Sequence, residues 1–386
     1  MTPLELFLDL VFVFAITQVT SLLSARPTWT GLLQALLLLS VLWWAWSGYA
    51  WLTNNLDPEE GWVRLGVLAA IATMLVMSLA APRAFGHDGI VFGVAYSVVR
   101  VLHLVLFVVA SHDDRDFRHA VLRVVPSGLI GSGLLIGAGY LHGGPQLTLW
   151  ALSASVSYSS VLVGHVRGWR ISPAHFAERF GQIILIALGE SVVAIGIGAR
   201  RLPLDAKVLG AALLGMTVIA CLWWSYFDWV VYVGQIRLAE ATGDRRAALA
   251  RDAYSYLHMP MVAGIVLFAF GLKSALPDAT RTMPIVPVIG LVGGIAIYFA
   301  AHVAVRVRIG GGFGRGRPVA ALALLALLPA ALHLPGLAAL GLVAAVSVGL
   351  IAYEVLRHRE SRALIRSRRS ALSTDDILEA ARAEER

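Results

Sequence analysis

Glu5 and Asp9 stand one helical turn apart in the run Leu4 to Leu22, LELFLDLVFVFAITQVTSL, which is otherwise apolar enough to cross a bilayer. A second run, Phe176 to Gly198, reads FAERFGQIILIALGESVVAIGIG and carries Gln182 and Glu190. Laid on the first, it sets Glu5 on Glu178, Phe7 on Phe180, Asp9 on Gln182 and Thr17 on Glu190. A third apolar run holds Arg100 and, one turn later, His103. A charge near the centre of a membrane helix costs about 2.5–3.5 kcal/mol on insertion scales, so each of these groups requires a partner or water. The chemistry they offer is ion pairing, proton exchange or the lining of a polar path.

Helical geometry arranges them further. Glu5 and Asp9 differ by about 40° around a helix, and Val13 and Ile16 continue that face, giving it an acidic foot and an apolar middle. Glu190 lies well inside its run, toward the bilayer centre, and is separated from Gln182 by the same angle as Thr17 from Asp9. Counting about 1.5 Å per residue places Arg100 ~16 Å and Asp9 ~22 Å from the outer face, an offset that an arginine side chain bridges. The expected partner of Arg100 is therefore Asp9 or Glu190, as a structural clamp or as a gate.

The elements that must position these groups are membrane helices. Of 386 residues, 58% are hydrophobic and only 14% charged, well below the roughly one-quarter charged content of soluble domains. The apolar residues come in runs of about twenty, matching a hydrocarbon core ~30 Å thick. The fold class is an all-α integral membrane protein of about twelve transmembrane helices, expected near 4–24, 29–52, 61–82, 89–111, 118–140, 145–165, 176–198, 206–232, 252–273, 283–305, 317–334 and 336–356. Pro335 and Gly336 break the last two into a tight hairpin.

The matching runs suggest a duplication. Val41 to Ser47, VLWWAWS, lies on Cys221 to Phe227, CLWWSYF, and Tyr96…Arg100 lies more faintly on Tyr298…His302. Residues 1–170 and 171–356 then form two six-helix repeats, and 357–386 a basic cytoplasmic tail with a short helix over Asp375 to Glu384. An even number of spans per repeat makes the two parallel, related by an axis along the membrane normal.

Arginines set the orientation. Arg64, Arg115, Arg118, Arg123, Arg167, Arg170 and Arg179 fall on the side of the N-terminus, as do the arginines from 237 to 251 and from 306 to 317. They outnumber the basic residues of the other side about twofold, or threefold with the tail, which puts both termini in the cytoplasm. The net charge of +7 thus reflects topology and no nucleic-acid partner. The first run lacks a basic n-region, so no cleavable signal peptide is expected.

Other features have plain readings. Cys221 is the only cysteine, which rules out an intrachain disulfide. His258, His302 and Asp228 lie near helix ends, and the histidines share neither a face nor a zinc-ligand spacing, so neither metal nor cofactor is expected. Trp43, Trp44, Trp223 and Trp224 read as packing residues, with the lining of an organic-cation site as the sharper alternative. Gly133-x-x-x-Gly137 and Gly290-x-x-x-Gly294 permit close helix contact. Gly310 to Gly314 is loop-like and follows no strand, and no nucleophile arrangement stands out, so an enzyme is the least favoured class.

The run Glu5 to Gln18, the segments Glu178 to Gln182 and Ile186 to Ser191, and Tyr254 to Pro260 resemble motifs of the bacterial low temperature requirement protein A family along nearly the whole chain. That resemblance implies a multi-pass protein of the bacterial inner membrane, in a family named for growth in the cold. More distantly, Phe7-x-Asp9-x-Val11-Phe12-x-x-Ala15-Ile16-Thr17 is similar to the first-helix signature of lysosomal-type potassium channels, which are also built on six-span repeats. By that resemblance Val13 and Ile16 would form an apolar constriction, although no arginine precedes Phe7 and the second run has Phe180-Gly181-Gln182 instead.

The expected function is a channel-like or transporter-like protein for ions or small solutes. Glu5, Asp9, Val13, Ile16, Thr17, Arg100, His103, Gln182 and Glu190 would line the path. The alternative is a non-transporting sensor or scaffold held by a buried Asp/Arg/Glu clamp. Twelve spans make either a complete unit or half of a homodimer.

Overall fold

A computed structural model describes residues 1–163 and 168–357. The tail beyond Arg357, with its expected short helix, lies outside the described residues. The chain is all-α: among the described residues the sole extended pairing is an isolated bridge between Thr282 and Pro335.

The first half comprises α1 (Pro3–Ala25), α2 (Trp29–Thr53), α3 (Gly61–Ala80), α4 (Gly89–Ala110), α5 (Arg115–Ala138) and α6 (Gly143–Val163). It is followed by α7 (Pro173–Ala199), α8 (Ala206–Ser225), α9 (Val231–Glu240), α10 (Gly243–Leu249), α11 (His258–Ala275), α12 (Ile285–Arg308), α13 (Gly316–Ala331) and α14 (Gly336–Arg357). Two π-helical segments, Tyr226–Val230 and Ala250–Tyr256, join α8 to α9 and α10 to α11 as continuous rods. Each of the twelve expected segments is helical over most of its length among the described residues. Among the described residues ten rods are long and apolar enough to cross a membrane. The other two are α13, only 16 residues long, and α6, whose five serines between Ser153 and Ser160 make it more polar.

Side-chain caps fix several helix starts. Thr2 accepts from the Glu5 amide at 3.3 Å while the Glu5 carboxylate accepts from the Thr2 amide at 2.8 Å, a reciprocal capping box,. Thr28, Asp114 and Asp205 cap α2, α5 and α8. The hairpin at Pro335 and Gly336 forms as expected. The Gly336 amide donates to the Asp278 and Arg281 carbonyls, and a Cβ there would stand 2.9 Å from two carbonyl oxygens, so only glycine fits.

The bundle is centred on α11, which packs against α12, α7 and α1. Its approach to α12 is close because Gly264 meets Gly294, where a Cβ would lie 2.5 Å from the opposing carbonyl oxygen. Gly290 is likewise at the contact, whereas Gly133 faces open space and Gly137 makes only ordinary contact, so one of the two glycine pairs works as expected,. The tryptophan pairs also diverge: Trp43 and Trp44 are buried, but Trp223 and Trp224 are about two-fifths exposed.

Candidate functional site

α1 and α7 begin at the same end of the bundle, where the N-terminal ammonium lies 3.1 Å from the Glu178 carboxylate. They run side by side. One turn inside, Arg179 of α7 is completely buried. Its Nη1 donates to Asp9 Oδ2 at 2.9 Å and to the Glu5 carbonyl at 3.2 Å, and its Nε lies 3.8 Å from Glu5 Oε1. Asp9 Oδ1 accepts from Trp46 Nε1 of α2 at 2.8 Å, and His175 Nε2 donates to Glu5 Oε2 at 3.1 Å. The guanidinium also sits over the Trp46 ring, 5.7 Å from its centroid, within cation–π range,. Trp46 in turn packs against Phe12, Trp43 and Phe180, so an aromatic shell excludes water from the cluster. Two carboxylates, one guanidinium and one indole N–H thus tie α1, α2 and α7 together.

This arrangement corrects the expected partner of Asp9. Arg179, read from the sequence as a loop arginine, pairs with Asp9; Arg100 does not. The reason is the intervening helix. Trp46 and Gly48 of α2 lie about 200° apart around its axis. Asp9 bonds the Trp46 face, while Arg100 rests against Gly48, where a Cβ would be 3.0 Å from Nη1. α2 therefore stands between the two charges.

Three turns further along α7, Glu190 is buried and accepts from Thr17 Oγ1 at 2.6 Å, with the Thr20 hydroxyl and the Lys273 ammonium also acting on it. Thr17 and Glu190, matched in the sequence register, thus meet across the α1–α7 seam. Ile16 is fully buried in the apolar core and Val13 is half-buried, its carbonyl accepting from Thr17. Gln182 is half-buried and joins none of the seam's hydrogen bonds among the described residues. Glu5, Asp9, Thr17 and Glu190 are therefore gathered along one seam, while Val13, Ile16 and Gln182 contribute no side-chain polar contact to it; the Val13 and Ile16 carbonyls accept from Thr17 and Thr20.

Arg100 and His103 belong to a separate place. Arg100 is 5% exposed and His103 4%. Arg100 Nη1 donates to His103 Nδ1 at 3.5 Å, and Nε is buried with no hydrogen-bond partner. No carboxylate of the described residues pairs with it. Gly48 of α2 and Gly128 of α5 flank the guanidinium, each leaving the room that a Cβ would fill. Beside it opens a pocket with Trp44, Trp51 and Trp169 in its wall.

The second half also has a buried arginine. Arg317 of α13 binds Glu354 of α14 through Nε at 2.8 Å and Nη2 at 3.3 Å, donates to His302 Nδ1 at 2.7 Å and reaches the Ser225 carbonyl at 2.8 Å. Like Arg179, it was counted among the loop arginines. His258 is satisfied on both nitrogens, donating to the Ala253 carbonyl and accepting from Tyr226 Oη, each at 2.8 Å, as a packing histidine would be.

The family of bacterial low temperature requirement A proteins has a model that matches residues 1–352. The chain belongs to that family. An uncharacterized protein of Rhizobium meliloti (strain 1021) is similar, at 30% identity over 284 residues that make up 69% of this chain and 67% of the relative. No solved structure matches. Within this low temperature requirement A chain, all four residues of the α1–α2–α7 hub (Glu5, Asp9, Trp46 and Arg179) fall in the matched region, as do Arg100 and Arg317. A signal for Arg179 was present in the sequence. It stands eleven residues before Glu190, about 20° around the helix, so both point from one face of α7 toward α1.

Proposed function

We propose that this protein is a transporter-like component of the bacterial inner membrane that handles small solutes, with both termini in the cytoplasm, and that it is not an enzyme. The observation that carries this reading is the Arg100 pocket. A buried cation with no carboxylate among the described residues, opening on a largely aromatic and apolar cavity inside a membrane bundle, is a site built for an occupant rather than for packing,. The α1–α7 seam has a different role in this reading: its buried carboxylates are held by partners within the chain, Arg179, Trp46, His175 and Thr17, so it acts as the hub about which the two halves are held. Placing the solute beside Arg100 moves it away from the path first expected at Asp9 and Val13.

Parallel neighbour patterns support the reading of two six-helix repeats. α1 packs on α2 and α3 as α7 packs on α8 and α11, and α4–α5–α6 are joined as α12–α13–α14 are. Exposed arginines at the end that carries the N-terminus support the cytoplasmic placement; setting Arg179 and Arg317 aside leaves their excess about twofold.

Proteoliposomes holding the pure full-length chain test transport directly. Saturable flux of at least one member of a panel of cations, protons and small organic solutes is expected, and no flux across that panel would sink the proposal. The dry closure of Asp9 on Arg179 favours a second reading, a membrane sensor in which the pocket binds its solute without passage. Binding in the absence of flux would select it.

A further inference from the structure

Among the described residues three arginines are nine-tenths or more buried: Arg100, Arg179 and Arg317. Two of them are neutralised by the chain itself. Arg179 holds Asp9, and Arg317 holds Glu354 in a two-point grip with His302 on its remaining arm. Arg100 has the histidine but not the carboxylate. An uncompensated buried charge is costly, and the cost is removed by a counter-anion.

We propose that the pocket beside Arg100 binds a small organic monocarboxylate with an aromatic or apolar body, whose carboxylate occupies the place that Glu354 takes on Arg317. Arg251, the other arginine in the pocket wall, is paired with Asp252 at 2.6 Å, an acid it shares with Arg308 at 2.8 Å, so Arg100 is the arginine of the wall with no carboxylate beside it among the described residues, and a monoanion is its complement. The planar guanidinium fork suits a carboxylate by two-point binding.

The rest of the wall fixes the body of the ligand. Trp44, Trp51, Phe107 and Trp169 line it, a surface that favours an aromatic or apolar group over a sugar or a polyanion. Polar groups are few. Ser47 lines the pocket with no hydrogen-bond partner of its own among the described residues, and Ser255 Oγ accepts from Trp51 Nε1 at 2.8 Å, which leaves its hydroxyl proton available. Ser255 lies on the π-helical segment Ala250–Tyr256, whose Ser255 carbonyl is held by Trp43 Nε1 at 2.7 Å. Such wide turns recur at functional sites. The pocket thus joins the first half to this segment, and a bound anion would bridge them.

This inference rests on the reading that the pocket takes a solute, but not on transport. The test is equilibrium binding of radiolabelled benzoate to the purified full-length protein in nanodiscs, with unlabelled competitors. Phenylacetate and octanoate should compete. Benzamide, benzylamine, chloride and inorganic phosphate should compete at least about tenfold less well, because they lack the charge, the sign or the apolar body. Oleate competing in preference to the short acids would identify a lipid acyl anion as the ligand and overturn the assignment to a small solute.

Arg100→Gln should weaken benzoate by about 10- to 100-fold, the range for loss of a charged hydrogen bond. Gly48→Ala is the independent variant. Its methyl would stand 2.9 Å from His103 Nε2 and 3.0 Å from Arg100 Nη1, displacing both side-chain ends without opening the core. It should lower affinity while the protein elutes and melts as the parent does. Benzoate binding no tighter than benzamide, or unchanged in both variants, would overturn the proposal. The discrimination by the parent protein decides the matter even if Arg100→Gln does not fold. Benzoate binding without liposome flux would leave this inference standing and remove transport; cation flux without benzoate binding would do the reverse.

Discussion

Replacing Asp9 by Asn tests the hub most directly, because the side chain keeps its shape and loses its charge. Asp9 uses one oxygen for Arg179 Nη1 at 2.9 Å and the other for Trp46 Nε1 at 2.8 Å. An amide has one acceptor, so one donor must face an NH2 group. If Trp46 keeps the oxygen, Arg179 retains the Glu5 carbonyl at 3.2 Å, the Glu5 carboxylate at 3.8 Å and a weak contact to Met1 Sδ at 3.9 Å. Breaking a buried pair by removing one partner costs about 3–5 kcal/mol, and the remaining Glu5 charge argues for the low end, about 3 kcal/mol. That is about a hundredfold in the folding equilibrium. At about 2–4 °C per kcal/mol for larger domains, the melting temperature should fall by about 6 °C or more. Heating the purified protein in detergent and following the monodisperse peak by size exclusion measures this. The double variant D9N/R179Q should cost less than the sum of the singles, because the Asp9–Arg179 contact is lost only once, while the Glu5 carboxylate keeps His175 at 3.1 Å,. An unchanged melting temperature in D9N, or a double variant worse than the sum of the singles, would refute the clamp. A stable D9N with altered ion flux would return Asp9 to a conducting path.

Four further outcomes follow from the contacts above. Trp46→Phe removes the indole N–H from Asp9 and thins the shell around Arg179; it should cost about 1.5–3 kcal/mol, the range for a hydrogen bond to a charged group, read in the same melt. Thr17→Val removes the 2.6 Å bond to Glu190 and should cost only about 1–2 kcal/mol, since the Thr20 hydroxyl also reaches that carboxyl,; a loss as large as that of D9N would mean that Glu190 depends on Thr17 alone. Gly264→Ala forces a methyl to within 2.5 Å of the Gly294 carbonyl and should cost about 1–3 kcal/mol by prising α11 from α12. Gly133→Ala, with open space at the same atom, should instead stabilise by about 0.5–1 kcal/mol through helix propensity. Equal effects at the two glycines would sink the close-approach account.

The helices were legible in the sequence because the bilayer sets both their length and their composition, and each of the twelve expected segments formed. The importance of Glu5, Asp9, Thr17 and Glu190 was legible for a related reason: a polar group in an apolar run stands out whatever its neighbours. Their partners were harder to read. Arg179 lies near a helix start, where an arginine ordinarily reaches water, so it was grouped with the loop charges; only its angular relation to Glu190 separates it from them. Arg100 was assigned to Asp9 by matching depth along the membrane normal. Depth fixes one coordinate of a bundle and leaves the angle around each axis free. Trp46 and Gly48, two residues apart on α2, face in nearly opposite directions, and that half-turn puts Asp9 and Arg100 on different sides of one helix. The same freedom explains why Trp43 is buried and Trp223 exposed despite their matched surroundings in sequence. The angular argument also runs forward. Once α2 screens Arg100 from Asp9, the cation is left without an acid among the described residues, and the pocket beside it gains a chemical identity that depth alone could not give.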